Sequence, residues 1–510
     1  MPLSFVTDVQ PYGPGSLITL KSPALQVVIS TLGATLHSVR VNPHFQTSSI
    51  RSAKKMSLHE VEAAAAARSA LGDDTAGWTE VNMQYNKYEE ALADCGTYMG
   101  ATVGRYAGRI GNGTFVLNRK TYHTPKNQDG LNTIHGGGNA FDKKQWQYKV
   151  LNSTTHPHPH AHHPVSASAP DTHKKRKAAV DANDVDDLDD RARAEEAFDS
   201  RHYIRASFHY MSPHNENGFP GELHCMVTYT IFQKQPHALC MDFRAALAPA
   251  SPANATIVNM FNHAYWNLNG FPKRPLTLSQ SQPAAGSAAD APWPQAAPIH
   301  NHHLRLPTAD TVAETDAAAI PSGKMVSVAG SPLDFRGAGH CLGDGIDNEA
   351  ALRRQPCGYD HPFFMSDYKM PGQLHSRRQP KRMSLNAVMR SPTSGIEMSV
   401  YSTFPCLWVY TANNLKADAK GTLGERFARY RACCLEPQHL PDAINHTKTF
   451  PRTSFIVTKK NPYIERIVNV FTVRPHAGQP RTQKGKVADK EGEREAARAT
   501  SLLPHYLSKL

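Results

Sequence analysis

The sequence predicts an all-β fold, a large antiparallel β-sandwich. Short segments in which apolar and polar residues alternate recur along most of the 510 residues, and Gly, Pro, Asn and Ser separate them. Strand patterns do not alternate with long amphipathic helix patterns, so βαβ units and a parallel sheet are not expected. Because β-sandwiches often exceed 200 residues as one unit, we expect a single domain over residues 1–473, interrupted by insertions.

The first strands form a meander. Leu17–Leu20 and Leu25–Leu32 have strand-like patterns and are divided by Ser-Pro, and the pattern continues from Gly33 to Val39 after a glycine break. Short connections of this kind join neighbouring antiparallel strands.

A β-hairpin is expected next. Thr114–Leu117 and Lys120–His123 flank Asn118-Arg119, although these two residues are not the strongest turn signal. The glycines at positions 104, 108, 111 and 113 indicate tight turns or close approach of a ligand. They do not form a phosphate-binding loop, because no helix with Lys-Ser/Thr follows them.

The remaining strands share period-two alternation. They are expected at His202–Tyr210, Met226–Ile231, Ala238–Arg244, Met398–Thr403, Leu407–Thr411 and Ser454–Thr458, the last of which should close the sheet.

Three insertions are expected, near 45–94, 153–200 and 279–298. The second combines a His-Pro tract, a basic run and an acidic run with few apolar residues, which is typical of disorder. Alternating prolines impose no ligand geometry on the histidines, so no functional metal site is predicted there. Residues 474–510 are expected to form a charged, mobile tail.

Composition and sequence motifs limit the binding partners and the cellular location that we expect. The net charge is +12, but basic residues are scattered apart from His173–Lys177 and the tail, and no aromatic residues interleave with them, so nucleic-acid binding is not expected. No apolar run approaches the roughly 18 residues that a membrane span needs, and no signal peptide pattern opens the chain. Eight cysteines without Cys-x-x-Cys spacing favour reduced thiols.

Ser508-Lys509-Leu510 matches the peroxisomal import tripeptide, so we expect an import receptor as partner and a peroxisome-like organelle such as a glycosome, with the cytoplasm as the alternative.

The stretch from Cys434 to Asn445 carries the first candidate for chemistry. Arg431–Leu435 is typical of a buried strand that ends in Glu436, and Pro437 should stop the pairing and turn the chain. A carboxylate held by a rigid element at a cleft suits a general base. Taken alone, the Leu-Glu-Pro motif favours a strand-end Glu436 that meets solvent.

The second candidate is His263, in the run Asn259–Gly270 that is rich in aromatic and amide side chains. Alone, it could be a core histidine. Together the two stretches resemble the aldose 1-epimerase (galactose mutarotase) family, with its runs Asn-His-x-Tyr-Phe-Asn-Leu and Cys-Leu-Glu-x-Gln-x-x-Pro-Asp-Ala-x-Asn. Further similar segments follow in family order to about Thr458: Gly104–Ile110, Ile134–Lys144, Gly218–Gly221, Ile320–Gly323, Pro332–Arg336 and Tyr359–Phe363.

The resemblance implies a distorted sandwich, a mutarotase-like supersandwich, whose concave face holds a free aldose. Anomer interconversion opens the ring, which takes a proton from the C1 hydroxyl and supplies one to the ring oxygen. Glu436 would be the base and protonated His263 the acid, because an unperturbed histidine pKa near 6.5 allows both states. No metal or organic cofactor is needed.

The resemblance also implies that Arg109, His135 and Asp360 hold the sugar hydroxyls. Trp408 stands where the family has a sugar-contacting glutamine, and Gly108 stands where Asn is frequent, so sugar preference is left open. Trp408 could stack on a pyranose face. The alternatives are a hexose-6-phosphate 1-epimerase of the same fold and a non-catalytic sugar-binding regulator. The oligomeric state, monomer or dimer, is open.

Overall fold

A computed structural model describes residues 5–45, 77–94, 96–152, 202–271, 296–348, 352, 356–367, 383–415, 427–447, 449 and 455–474. Most of their regular structure is strand, which confirms the predicted all-β class. The strands are β1 (Val6–Tyr12), β2 (Gly15–Lys21), β3 (Leu25–Ser30), β4 (Thr35–Val41), β5 (Thr79–Glu80), β6 (Asn82–Met83), β7 (Thr102–Val103), β8 (Arg109–Ile110), β9 (Thr114–Leu117), β10 (Lys120–His123), β11 (Thr133–Ile134), β12 (Gln147–Asn152), β13 (Tyr203–Ser212), β14 (Leu223–Phe232), β15 (Gln235–Leu247), β16 (Ala255–Ile257), β17 (Phe261–Asn262), β18 (Tyr265–Trp266), β19 (His303–Arg305), β20 (Ala309–Thr315), β21 (Pro321–Ser327), β22 (His340–Cys341), β23 (Asp360–Met365), β24 (Ser384–Arg390), β25 (Ile396–Ser402), β26 (Cys406–Tyr410), β27 (Cys434–Gln438), β28 (Ile456–Thr458) and β29 (Tyr463–Val473). The helices are α1 (Tyr88–Ala93) and α2 (Gly343–Ile346), with 3-10 turns at Gly111–Gly113, Phe141–Lys143, Glu216–Gly218 and Ile299–Asn301.

Three sheets contain most of these strands. A nine-stranded sheet has the order β12-β13-β14-β15-β29-β25-β24-β19-β22, and two five-stranded sheets have the orders β1-β2-β3-β4-β5 and β21-β20-β23-β26-β27. The pairings within them are antiparallel. The predicted meander is therefore confirmed as β2, β3 and β4, and it gains β1 and β5 at its edges.

One apolar core joins the three sheets. Val27 of the first sheet, Phe208 and Met398 of the nine-stranded sheet and Leu407 of the third lie in the same cluster of buried side chains. Alternate residues of β2, β3, β13 and β14 belong to this cluster, which is the arrangement of a sandwich. Truncating one such side chain to Ala typically costs about 2–5 kcal/mol, because the space it leaves does not refill.

The predicted hairpin is confirmed as β9 and β10. Asn118 and Arg119 occupy its turn with φ angles of 52° and 64°. Positive φ at both central residues is the turn geometry whose twist matches that of the flanking strands. The strand pairing therefore imposes left-handed backbone on Arg119, a residue that seldom adopts it alone.

The prediction that Ser454–Thr458 closes the sheet is wrong. β28 pairs with β16 in a small two-stranded sheet. The nine-stranded sheet instead contains β29, which follows β28 in the chain and pairs with β15 on one side and β25 on the other. The near-continuous apolar run Ile467–Val470 reflects burial on both faces, which weakens the alternation that indicates a strand.

The expectation that Pro437 ends the strand at Glu436 is also wrong. β27 continues through Pro437 to Gln438, and Pro437 lies opposite Leu407 of β26. β27 is an edge strand, so one row of its backbone groups has no strand partner and a residue without an N–H can occupy that row. Glu436 is consequently fixed in the middle of a strand, opposite Trp408.

Part of the segment expected as an insertion near 45–94 belongs to the sheets. Thr79–Glu80 pairs with β4, and the buried Glu80 carboxylate accepts hydrogen bonds from the Ser38 hydroxyl and the Val39 N–H. Residues 46–76 of that segment, all of 153–200, most of 279–298 and the tail from 475 to Leu510 lie outside the described residues. No helix in the described ranges is long and apolar enough to cross a membrane.

A buried histidine should make the fold sensitive to acid. Nε2 of His302 accepts the Leu268 N–H at 2.9 Å, and burial lowers the pKa of His302 to about 3. Between pH 6.5 and about 3 the unfolded chain therefore binds more protons at this residue than the folded chain does, so stability falls as the pH falls through that window.

We expect this residue alone to lower the free energy of unfolding by about 2 kcal/mol between pH 6.5 and pH 5. Denaturant unfolding at both pH values checks it, with His302→Gln, which keeps an acceptor but does not titrate, as the matched variant. Equal pH dependence in the two proteins would contradict the assignment.

Candidate active site

The structure brings Glu436 and His263 into contact. His263 follows β17 in the loop before β18, and Glu436 lies in the middle of β27. Nε2 of the imidazole is 3.4 Å from Oε1 of the carboxyl group, and both side chains are buried. Residues 173 positions apart in the chain therefore form a pair close enough to pass a proton from one to the other.

Aromatic rings fix the orientation of the His263 imidazole. Tyr265 stacks on it with ring centroids 5.2 Å apart and an interplanar angle of 13°. Tyr98 lies nearly parallel to it at 6.3 Å, and His135 meets it edge-on at 5.4 Å. A ring constrained by several neighbours presents the same nitrogen to the site, which general acid–base chemistry requires.

A left-handed turn carries His135 into this cluster. His135 follows β11, whose partner β8 contains Arg109, and His135, Gly136 and Gly137 have φ angles of 51°, 86° and 108°. A Cβ on Gly136 would lie 2.2 Å from the carbonyl oxygen of Gly104, so glycine is required there. The Gly108 N–H donates to Nδ1 of His135 at 3.3 Å, which leaves Nε2 to carry the proton of the neutral ring.

Asp360, Trp408 and Arg109 form the next group of predicted residues. Nε1–H of Trp408 donates to Oδ1 of Asp360 at 2.6 Å. The guanidinium of Arg109 lies over the Trp408 ring, 5.4 Å from its centre. Because Trp408 is opposite Glu436 across the β26–β27 pair, this group adjoins the carboxyl group.

Burial controls the protonation of the pair. It raises the pKa of Glu436 well above its usual value, the Asp360 charge raises it further, and the Arg109 guanidinium opposes both. Burial lowers the pKa of His263 to about 4, and it also lowers the pKa of His135. Both shifts favour the uncharged forms of the pair. Burial therefore disfavours the imidazolium that was expected at His263.

Asn259, for which no role was predicted, connects three segments of the site through hydrogen bonds of its side chain. Its side-chain amide donates to the carbonyl oxygens of Ala107 and His439, and its carbonyl oxygen accepts the His439 N–H. These bonds join the segment before Arg109, the segment before His263 and the segment after Glu436. Asn259 stood within the noted run, but its partners are visible only in three dimensions.

Gln438 was also missed as a site residue. Its Nε2 donates to Oε2 of Glu436 at 3.1 Å, so it orients the carboxyl group. Because Glu436 and Gln438 are two residues apart on one strand, their side chains lie on the same face of the strand. The spacing in the sequence therefore already indicated that Gln438 could contact Glu436. Gln438 also lies beside Gly108: a Cβ there would be 2.5 Å from the Pro441 ring and 3.2 Å from Oε1 of Gln438, so the packing favours Gly over the family's Asn.

Comparison with known proteins agrees with this geometry. A model of the family described as aldose 1-epimerase matches residues 71–163 and 291–460, more than half of the chain. The chain belongs to the aldose 1-epimerase family. The matched segments contain Arg109, His135, Asp360 and Glu436, whereas His263 lies between them and joins the site through the contact described above.

Relatives in the aldose 1-epimerase family extend over most of the chain. The human protein named galactose mutarotase is 29% identical over 357 residues, which cover 69% of this chain and 73% of the relative. The Escherichia coli protein named aldose 1-epimerase is 26% identical over 358 residues, which cover 70% and 75%.

Solved structures support the same fold. An aldose epimerase homologue from C. elegans has a TM-score of 0.57 at 20% identity, covering 92% of this chain and 100% of its own. A galactose 1-epimerase from Lactobacillus acidophilus also has a TM-score of 0.57, at 18% identity, covering 93% and 100%. The predicted mutarotase-like sandwich is thus confirmed.

Trp408→Phe should weaken substrate binding with little effect on turnover. Phe keeps an aromatic face under Arg109 but cannot donate to Asp360, and a hydrogen bond to a charged group contributes about 1.5–3 kcal/mol. Because Asp360 would be less well oriented, we expect KM to rise about tenfold, corresponding to the lower end of that range, and kcat to change less than threefold. Initial rates over a range of sugar concentrations separate the two constants. A fall in kcat with unchanged KM would contradict a binding role.

Proposed function

We propose that the protein interconverts the α and β anomers of free hexoses, glucose or galactose, by opening and reclosing the pyranose ring. The observation that carries this proposal is the 3.4 Å contact between Nε2 of His263 and Oε1 of Glu436. Ring opening requires one group that accepts the C1 hydroxyl proton and another that donates to the ring oxygen. Two buried, adjacent groups that share one proton supply both.

The proton moves within the pair before or during ring opening. Transfer from Glu436 to His263 gives the carboxylate and the imidazolium, which are the base and the acid of the first step. The Arg109 charge stabilises the Glu436 carboxylate and opposes the positive charge on His263. The C1 hydroxyl proton then goes to Glu436, and His263 protonates the ring oxygen. Rotation about the C1–C2 bond and the reverse transfers close the ring on the other face, so the pair ends with its original single proton.

The polar groups around the pair suit a sugar. Arg109 offers a fork of donors, His135 a ring N–H and Asp360 a carboxylate acceptor, which match hydroxyl groups of both polarities. Trp408 adds an indole ring that is fixed by its bond to Asp360. We infer that these four side chains hold the pyranose while the pair acts on C1 and the ring oxygen.

Polarimetry on freshly dissolved α-glucose and α-galactose tests the proposal. We expect a first-order approach to the anomeric equilibrium that is faster than the spontaneous reaction in proportion to protein concentration. The 6-phosphates of the two sugars, assayed in parallel, should give kcat/KM values at least about tenfold lower, a difference of about 1.4 kcal/mol in transition-state binding. Faster turnover of the phosphates would favour the hexose-6-phosphate 1-epimerase. Sugar binding without acceleration would favour the regulator.

A further inference from the structure

A third side chain with ligand chemistry lies against the catalytic pair. Cys434 begins β27 two residues before Glu436, so both side chains point to the same face of the strand. The Cys434 sulfur, Nε2 or Nδ1 of His263 and a carboxylate oxygen of Glu436 all lie within 4.8 Å of one another. All three side chains are buried.

We propose that His263, Cys434 and Glu436 form a site for a thiophilic divalent cation of the Zn²⁺ class, and that this cation inhibits the enzyme by occupying the catalytic pair. Zinc takes nitrogen at about 2.0–2.1 Å and carboxylate oxygen at about 2.0–2.2 Å in a tetrahedron, which places those two ligand atoms about 3.4 Å apart. The observed separation of Nε2 and Oε1 is 3.4 Å. Nε2 of His263 and Oε1 of Glu436 are therefore already at the separation that tetrahedral zinc coordination requires.

The chemistry of the three ligands selects the metal. A thiolate and an imidazole favour zinc over magnesium or calcium, which prefer oxygen donors. A thiolate and a carboxylate together neutralise the two positive charges, so the complex with a neutral imidazole has no net charge. This balance matters because an uncompensated charge is costly in a buried site. The protons of the thiol and the carboxyl group leave to solvent on binding.

The cation and the sugar would use the same atoms. With the metal bound, the Glu436 carboxylate cannot accept the C1 proton, and the coordinated nitrogen of His263 cannot donate one. Zinc and aldose binding are therefore mutually exclusive. The inhibition rests on the proposed function, whereas the metal binding does not, so each can be tested apart from the other.

Cobalt(II) tests the binding without reference to activity. When a cysteine thiolate binds cobalt, a ligand-to-metal charge-transfer band appears in the near ultraviolet. We expect this band in the wild-type protein on titration with cobalt chloride, and we expect Cys434→Ser to lack it. Histidines of the His156–His163 segment could bind the same metal but give no thiolate band.

Cys433→Ser is the matched control. Cys433 is the neighbouring residue, but its side chain packs in the main apolar core whereas Cys434 packs in a separate cluster with Tyr265. The control should retain the cobalt band. No band in the wild type, or a band that survives in Cys434→Ser and disappears in Cys433→Ser, would overturn the site.

Zinc inhibition of mutarotation tests the second part. We expect zinc chloride to raise the apparent KM for galactose without lowering kcat, and EDTA to restore the initial rate. For Cys434→Ser, with inhibition measured relative to its own zinc-free rate, the inhibition constant for zinc should be at least about tenfold higher than for wild type. Mutating a residue that only orients a metal ligand typically weakens metal binding about 10- to 100-fold, and loss of a ligand should cost no less. Cys433→Ser should keep the wild-type constant. The proposal would be overturned if zinc inhibited wild type and Cys434→Ser equally, or if galactose did not relieve the inhibition. A cobalt band in a protein without mutarotase activity would instead count against the proposed function.

Discussion

Glu436→Gln is expected to lower kcat for anomer interconversion by at least about a hundredfold, because one positioned proton transfer typically contributes 10²- to 10⁴-fold. Gln has nearly the shape of Glu and can still contact Gln438, but it can neither accept the C1 proton as a carboxylate nor pass a proton to His263 across their contact. KM should change little. Polarimetry with galactose, corrected for spontaneous mutarotation, measures the effect.

Glu465→Gln provides the matched control. Glu465 is as buried as Glu436 and also contacts a histidine, with Oε1 at 2.9 Å from Nε2 of His439, but it lies on β29 in the nine-stranded sheet. We expect this variant to lose stability rather than turnover. If Glu436→Gln kept a wild-type kcat, Glu436 would have no part in proton transfer.

The second large effect is expected for His263→Asn, which should also lower kcat by at least about a hundredfold. Asn keeps a polar group in the pocket between Tyr98 and Tyr265 but cannot exchange a proton with Glu436. His37→Asn is the control, because His37 is a buried histidine of the first sheet whose pKa burial also lowers to about 4. Polarimetry should give a nearly unchanged kcat for that variant.

The double variant distinguishes a pair from two independent groups. If Glu436 and His263 act on one shared proton, Glu436→Gln combined with His263→Asn should be no slower than the slower single variant. Losses that multiply would show that each residue acts alone, and the shared-proton mechanism would have to be abandoned.

The residues of the candidate site could be named from the sequence, but the effect of burial on their pKa values could not. Glu436 and His263 stand in recognisable runs, and the structure brings them together with Arg109, His135, Asp360 and Trp408. The assignment of a resting imidazolium used the pKa of an exposed histidine. Burial disfavours that imidazolium and also the Glu436 carboxylate, and burial depends on packing that a sequence does not display.

The local errors have a common physical origin. Pro437 indicates the end of a strand unless the strand lies at a sheet edge, and edge position follows from the order of strands rather than from the residues of one strand. The role of Asn259 depends on partners 152 and 180 positions away. The hairpin at Asn118 and the first meander, by contrast, involve neighbours in the chain and were predicted correctly.

The position of β29 has a consequence for how the protein is made. β29 comes last among the described strands, yet it lies between β15 and β25 in the middle of the largest sheet. During synthesis on the ribosome, those two strands present open hydrogen-bonding edges until residue 473 emerges. Unpaired edges are prone to join other nascent chains. Production of the enzyme should therefore depend on chaperones that shield this gap, and premature termination before Tyr463 should yield aggregates rather than a partly active enzyme.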